Sequence, residues 1–246
     1  MIPKILHLCW FSGDKYPDKI QRCIDSWGIA LPDYEIMVWD KKKALQIGNK
    51  WVRQAITERK YAFAADCVRF YALYHYGGIY LDSDVEVIKP FDDLLQLKYF
   101  IGKENSVYPY EAAVIGSEPK QEWVLACLNH YKYKSFVNVF GEYRQAVLPY
   151  VMDQSLNKNF MVKNIASIEE FDDSIKFICR FPVDWFSPKK WETGEITITS
   201  NTYCIHHFES GWKQTKGYKD KVSWITRMFR HMRSVASFVK HKLIKK

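Results

Sequence analysis

No two of the six cysteines (Cys9, Cys23, Cys67, Cys127, Cys179, Cys204) form a C-x-x-C pair. That scatter excludes a zinc ribbon and argues against a disulfide framework; it predicts reduced, mostly buried thiols of a cytosolic protein. Long apolar runs are also missing, which excludes a membrane-spanning helix. The first residues offer only Ile5-Leu6-His7-Leu8-Cys9-Trp10-Phe11, too short and without a cleavage signature for a signal peptide. There is no internal repeat and no low-complexity stretch. Acidic residues are scarce in one place alone: Lys219 to Lys246 holds nine Lys or Arg against the single Asp220. The net charge of +8 therefore belongs to a tail, and the rest of the chain is neutral.

What is present fits one globular domain with an appendage. The 246 residues are 48% hydrophobic and 16% aromatic, enough for a full core rich in Tyr and Trp. Met1 to Phe11 reads as a buried strand and Asp18 to Trp27 as a short helix. Tyr34 to Trp39 alternates as a second strand, and Lys42 to Arg59 is helical in pattern. Tyr61 to Tyr76 is the clearest helix, with Phe63, Cys67, Phe70 and Tyr74 as its buried stripe; Gly77-Gly78 ends it. Ile79-Tyr80-Leu81 is a short buried strand, and Val85, Val87 and Pro90 begin another extended piece. The order strand, helix, strand, helix, strand predicts an α/β fold. Further on, Glu122 to Tyr133 and Gly141 to Tyr150 read as helices and Ile196 to Ile205 as a strand. In the tail, Val222, Ile225, Phe229, Met232, Ala236, Val239 and Leu243 form a helical stripe among basic residues.

The chemistry gathers at Asp82-Ser83-Asp84, directly after the short strand. Ligands of open α/β sheets bind beyond the carboxyl ends of strands. Two carboxylates two residues apart share one polar region if the backbone bends there, and oxygen donors suit Mg²⁺ or Mn²⁺. Such an ion neutralises a diphosphate leaving group. On the preceding helix Asp66 and Arg69 share a face offset from the apolar stripe.

The run from Ala64 to Asp84, Ala64-Ala65-Asp66-Cys67-Val68-Arg69-Phe70 through Tyr76-Gly77-Gly78-Ile79-Tyr80-Leu81-Asp82-Ser83-Asp84, resembles the DXD sugar-binding segment of family 32 glycosyltransferases. These include capsule enzymes, initiating α-1,6-mannosyltransferases and, with a shared pattern, the sugar-transferring domains of large clostridial toxins. The opening Ile2 to Phe11 is similar to the first strand of these enzymes. Tyr203-Cys204-Ile205-His206-His207-Phe208-Glu209-Ser210-Gly211-Trp212 resembles their closing segment. The middle of the chain is poorly covered; Leu148-Pro149-Tyr150 and Asp153-Gln154-Ser155 are the nearest counterparts of the family's Gly-Pro segment.

The resemblance implies a GT-A fold with a mixed central sheet over residues 1–217; the helical stripe and charge of the tail predict a basic amphipathic helix over 218–246. It implies a retaining, Mn²⁺-dependent (or Mg²⁺-dependent) hexosyl transfer from a nucleotide sugar, UDP-hexose rather than GDP-mannose. The acceptor is a saccharide or lipid-linked oligosaccharide in surface polysaccharide synthesis. Asp84 and His207 bind the metal, and Asp82 reaches it or the sugar. His207 is preferred to His206 on its spacing to Ser210 and Trp212, and the choice between them stays open. Asp66 and Arg69 orient the donor hexose, Trp10 and Tyr80 flank the nucleotide, and Ser210 and Trp212 hold the β-phosphate side. No nucleophile is named; a covalent sugar on a carboxylate such as Glu111 would overturn same-face attack. The tail is expected to lie on an anionic membrane at the inner face of the plasma membrane, packing on its own domain or on a partner helix being the open alternative, with no nucleic acid bound. The rival readings are a metal-dependent phosphohydrolase and a non-catalytic membrane-surface binding protein.

Overall fold

A computed structural model describes residues 1–104 and 109–209. The predicted tail helix, Ser210 and Trp212 lie outside the described residues. In chain order the elements are β1 (Ile5–Cys9), α1 (Asp18–Ala30), β2 (Glu35–Trp39), α2 (Lys41–Gln46), α3 (Lys50–Thr57), α4 (Tyr61–Tyr76), β3 (Gly78–Leu81), β4 (Val85–Val87), β5 (Tyr99–Ile101) and β6 (Val114–Ser117). Then come α5 (Glu122–Lys132), α6 (Leu148–Leu156), β7 (Met161–Asn164), β8 (Phe177–Arg180), α7 (Val183–Phe186) and β9 (Cys204–His206).

The central sheet runs β2-β1-β3-β6-β5. β1 pairs parallel with both β2 and β3, while β6 is antiparallel to β3 and to β5. The sheet is thus mixed, and the α/β, GT-A-type expectation holds. Side chains alternate across a strand, so each strand feeds two cores. Tyr80, Tyr99, Ile101 and Ile115 face the core shared with α3, α4, α5 and α6. Ile79, Leu81, Phe100 and Val114 face the other, with Trp27 of α1 and Val85 of β4. Such double coverage explains why β3 reads as an unbroken apolar run.

α4 departs from its predicted single stripe. Ala64 through Phe70 are all buried, Asp66 and Arg69 included. α3, α5 and the sheet surround the helix, so small Ala64, Ala65 and Ala72 admit neighbours where an amphipathic surface helix would carry polar groups. It ends at Gly77, whose N–H donates to Leu73 O at 3.0 Å. Gly78 has φ +97°, and a Cβ there would stand 2.5 Å from the Ile5 carbonyl oxygen. The glycine pair therefore lets β3 start flush against β1.

Three predicted elements are corrected. The span 42–59 is two helices, separated where Gly48 takes φ +73° and Asn49 caps α3 by accepting from Val52 N–H. Residues 141–147 are irregular, and the helix begins at Leu148 with Pro149 in its first turn. The predicted strand 196–205 is a strand only from Cys204 to His206. All six cysteines are unpaired and five are buried, as expected.

Candidate active site

β3 delivers Asp82 to the sheet's carboxyl end. Its N–H donates to Ala113 O at 2.9 Å, and its carbonyl accepts from Val85 N–H at 3.0 Å. That second bond closes a turn over Asp82-Ser83-Asp84-Val85, the bend that two carboxylates need in order to converge. After the turn, β4 pairs antiparallel with β9, with Val85 opposite His206. One oxygen each of Asp82 and Asp84 and one nitrogen of His206 lie within 4.8 Å of one another.

The two adjacent histidines part company because neighbouring strand residues face opposite ways. His206 Nε2 is 3.6 Å from Asp84 Oδ2 and its Nδ1 is 3.5 Å from Glu111 Oε1. His207 Nε2 instead meets Glu86 Oε2 at 2.7 Å. The structure thus puts His206, not the preferred His207, beside the aspartates. The closing segment still folds onto them: Glu209 N–H donates to Asp84 Oδ2 at 2.8 Å and His207 N–H to Asp84 O at 3.0 Å.

Behind Asp82 stands a buried network. Arg69 Nη2 is 3.2 Å from both Asp66 Oδ1 and Asp82 Oδ1, and Nη1 donates to the Ala112 carbonyl. Its guanidinium carbon lies 4.2 Å over the Tyr80 ring, and Tyr80 Oη donates to Asp82 Oδ1 at 2.8 Å. Asp66 and Arg69 are both buried, and the turn after β3 brings a second carboxylate, Asp82, to the same guanidinium. Tyr80 is only 1% exposed, so it supports Asp82 from within instead of flanking a nucleotide. Trp10 is half-buried after β1; its Nε1–H donates to Asp14 O at 2.8 Å and its ring meets Tyr16 edge-on at 4.8 Å.

Burial raises Asp66 to about 7, against the opposing pull of Arg69. Burial also raises Asp82 despite Arg69. Asp84 goes the other way: burial opposes ionisation, but His206 outweighs it and holds the carboxyl low. The His206 imidazole is pushed well above its ordinary value, since Glu111 and Asp84 overcome its burial.

Glu111 is the residue that motif reading passed over as a structural partner. It is 1% exposed, and Oε1 accepts from Ala113 N–H at 2.7 Å. Its one signal was an acid directly preceding the apolar run Ala112–Ile115. The donor set fits a divalent cation: Asp82, Asp84 and Glu111 gather around one imidazole, and among the described residues Arg69 and His206 give two positive charges against these three carboxylates and Asp66. A nitrogen donor beside carboxylates departs from the all-oxygen shell of Mg²⁺ and admits an ion such as Mn²⁺.

Similarity to known proteins includes α4, β3 and the Asp82-Asp84 turn. Residues 17–101 match the family described as glycosyltransferase sugar-binding region containing DXD motif. Inositol phosphoceramide mannosyltransferase 1 of Schizosaccharomyces pombe is 26% identical over 152 residues, covering 56% of this chain and 47% of that protein. Mannosyl phosphorylinositol ceramide synthase CSH1 of Saccharomyces cerevisiae is 31% identical over 154 residues, 57% of this chain and 40% of that protein. Each alignment spans less than half of the relative. Among solved structures, the PaToxG glycosyltransferase is 19% identical with a TM-score of 0.47, over 64% of this chain and 69% of that one. Residues 17–101, which hold Asp82 and Asp84, are thus similar to the DXD-containing sugar-binding region of glycosyltransferases.

Proposed function

We propose that the chain is a retaining, metal-dependent glycosyltransferase that moves a hexose from a nucleotide sugar to a saccharide or lipid-linked acceptor. The observation that carries this is the meeting of Asp82, Asp84 and His206 within 4.8 Å, at the exit of a strand inside the matched sugar-binding region. Asp84 and His206 hold the ion, and Asp82 contacts it or the donor. A divalent ion there supplies positive charge opposite a diphosphate as its glycosidic bond breaks. Arg69 fixes Asp82 in place through their 3.2 Å pair, and Tyr80 holds the same oxygen from the other side. Asp66 keeps Arg69 aimed through their 3.2 Å pair, and both orient the donor hexose. Trp10 borders the nucleotide, and Ser210 and Trp212, on sequence alone, hold the β-phosphate side. His207 braces Glu86 beside the site.

Glu111 Oε1 is committed to Ala113 N–H and faces His206, which supports its service as a brace for the imidazole. A same-face attack, with the leaving phosphate accepting the acceptor's proton, requires no protein nucleophile. The names of the two yeast relatives speak of mannosyl transfer to inositol phosphoceramide, which turns the donor from UDP-hexose toward a mannose nucleotide and supports a lipid acceptor over a capsular one. The basic stripe of residues 218–246 supports attachment to an anionic inner membrane face, on sequence alone.

The test is a thermal-shift panel of GDP-mannose and UDP-hexoses with and without Mn²⁺, followed by transfer assays. The right donor raises Tm in a concentration-dependent way. Asp84→Asn is expected to abolish metal-dependent transfer while the far-UV circular dichroism stays that of the folded wild type. A fully active Asp84→Asn enzyme, or cleavage of simple phosphate esters in place of transfer, would sink the reading.

A further inference from the structure

Away from the carboxylates, α5, α6 and the segment between them frame an open pocket of about 720 Å³, within the size range of small-ligand sites. It shares no lining residue with the Asp82-Asp84-His206 cluster. Four of its residues are basic by type: His130, Lys134, Arg144 and Lys158; none is acidic. Because the body of the chain is electrically neutral, overall basicity does not account for this concentration of one sign.

Nothing among the described residues offsets it. Lys134, Arg144 and Lys158 make no ion pair there, and the nearest acid on α6, Asp153, accepts from Asn157 Nδ2 at 2.7 Å. Lys134 Nζ stands 3.0 Å from a ring nitrogen of His130, a contact that requires the neutral imidazole. Burial, then Lys134 and Lys158, push His130 down to about 4. Lys134 itself is lowered by burial and by Arg144 and Lys158, with no carboxylate raising it. Around these cations stand the amides of Asn129, Gln154 and Asn159 and the edge of Tyr150. A phosphate group alone would leave most of the volume unfilled.

We infer that this pocket binds a phosphate ester of a hydroxylated alcohol, the phosphate lying among Lys134, Arg144 and Lys158 and the hydroxyls against the amides. Cationic side chains bind phosphate oxygens by charge-assisted hydrogen bonds, and Asn and Gln both donate and accept, as hydroxyls require. The phosphate ester is either free or the headgroup of a lipid. Binding here needs no metal.

The test uses the full chain in EDTA. Inositol 1-phosphate, with inositol as control, is titrated by calorimetry; vesicles of phosphatidylinositol in phosphatidylcholine, against phosphatidylcholine alone, are pelleted with the protein. The triple variant Lys134→Gln/Arg144→Gln/Lys158→Gln is expected to bind inositol 1-phosphate at least tenfold more weakly than the wild type. Asp82→Asn/Asp84→Asn is expected to bind it normally, so failure of the transfer reading leaves this result standing. A loss of phosphatidylinositol-dependent pelleting in the triple variant assigns the phosphate to a lipid headgroup, and loss of soluble binding alone assigns it to a free ester. If neither arm responds to the triple substitution, the inference is overturned.

Discussion

Two charged regions of this molecule obey opposite rules. Around Arg69 every charge has a partner: Asp66 and Asp82 flank one guanidinium nitrogen, a carbonyl takes another, and Tyr80 lies beneath. Around Lys134 cations gather with no carboxylate among them. The first arrangement is self-sufficient and holds Asp82 rigidly before any ligand arrives. The second is incomplete by itself, as expected of a surface whose partner comes from outside. The difference teaches that charge marks a site in two ways, by positioning and by vacancy of sign, and that substitution should separate them.

The largest effect is expected where compensation is lost. Arg69→Met leaves the buried Asp66 and the part-exposed Asp82 without their cation, which costs about 3 kcal/mol, the lower end for breaking a buried pair. Urea unfolding measures it. Adding Asp66→Asn should recover part of that loss, because one of the two stranded carboxyls is then neutral. A cost for Arg69→Met below about 1 kcal/mol, the level of surface pairs, would mean that the network is not a structural unit.

Much of this positioning was legible beforehand, for definite reasons. α4 was bounded correctly because its apolar steps run unbroken into Gly77-Gly78, and β3 because a strand covered on both faces is apolar throughout. The convergence of Asp82 and Asp84 followed from their spacing once a turn was assumed. Other features required long-range pairing. Which histidine faces the aspartates depends on the register of β9 on β4, and register is invisible when His206 and His207 are adjacent and identical. The burial of Arg69 depends on α3 and α5 closing over α4, which no local pattern encodes. Glu111 joins the site only through antiparallel β6. The basic pocket draws its cations from residues 130–158, where irregular segments dilute periodicity.

His7 offers an intermediate case, a titratable group fully buried and satisfied without charge. Its Nε2–H donates to Gly77 O at 2.7 Å, and its Nδ1 accepts from Trp39 Nε1–H at 3.2 Å. Protonation would set two donors against each other at Nδ1, and burial already lowers the imidazole from 6.5 to about 4. A lowered histidine is neutral when folded, so its stabilising effect is complete above pH 6.5. It is lost as pH falls from 6.5 to about 4, where the unfolded chain takes up the proton first. The loss totals about 3 kcal/mol. Comparing urea midpoints of wild type and His7→Gln at pH 7 and pH 4.5 isolates this term from the carboxylates. Parallel pH profiles would show that His7 does not carry it.

The smallest expected effect is also the one that distinguishes the two regions most directly. If the cations around Lys134 are held together for a ligand's sake, removing them in the ligand's absence should relieve repulsion and remove nothing the fold needs. Arg144 and Lys158 are exposed, and solvent screens most of their interaction, so the gain should be about 0.5 kcal/mol. The Lys134→Gln/Arg144→Gln/Lys158→Gln variant should therefore melt slightly above the wild type in low-salt, phosphate-free buffer, and the difference should shrink in high salt. A ligand-binding cluster trades stability for function in this manner, whereas a structural cluster does not. Were the variant to melt lower and stay lower in salt, its side chains would be packing elements of α5 and α6. The contrast with Arg69 would then be one of degree.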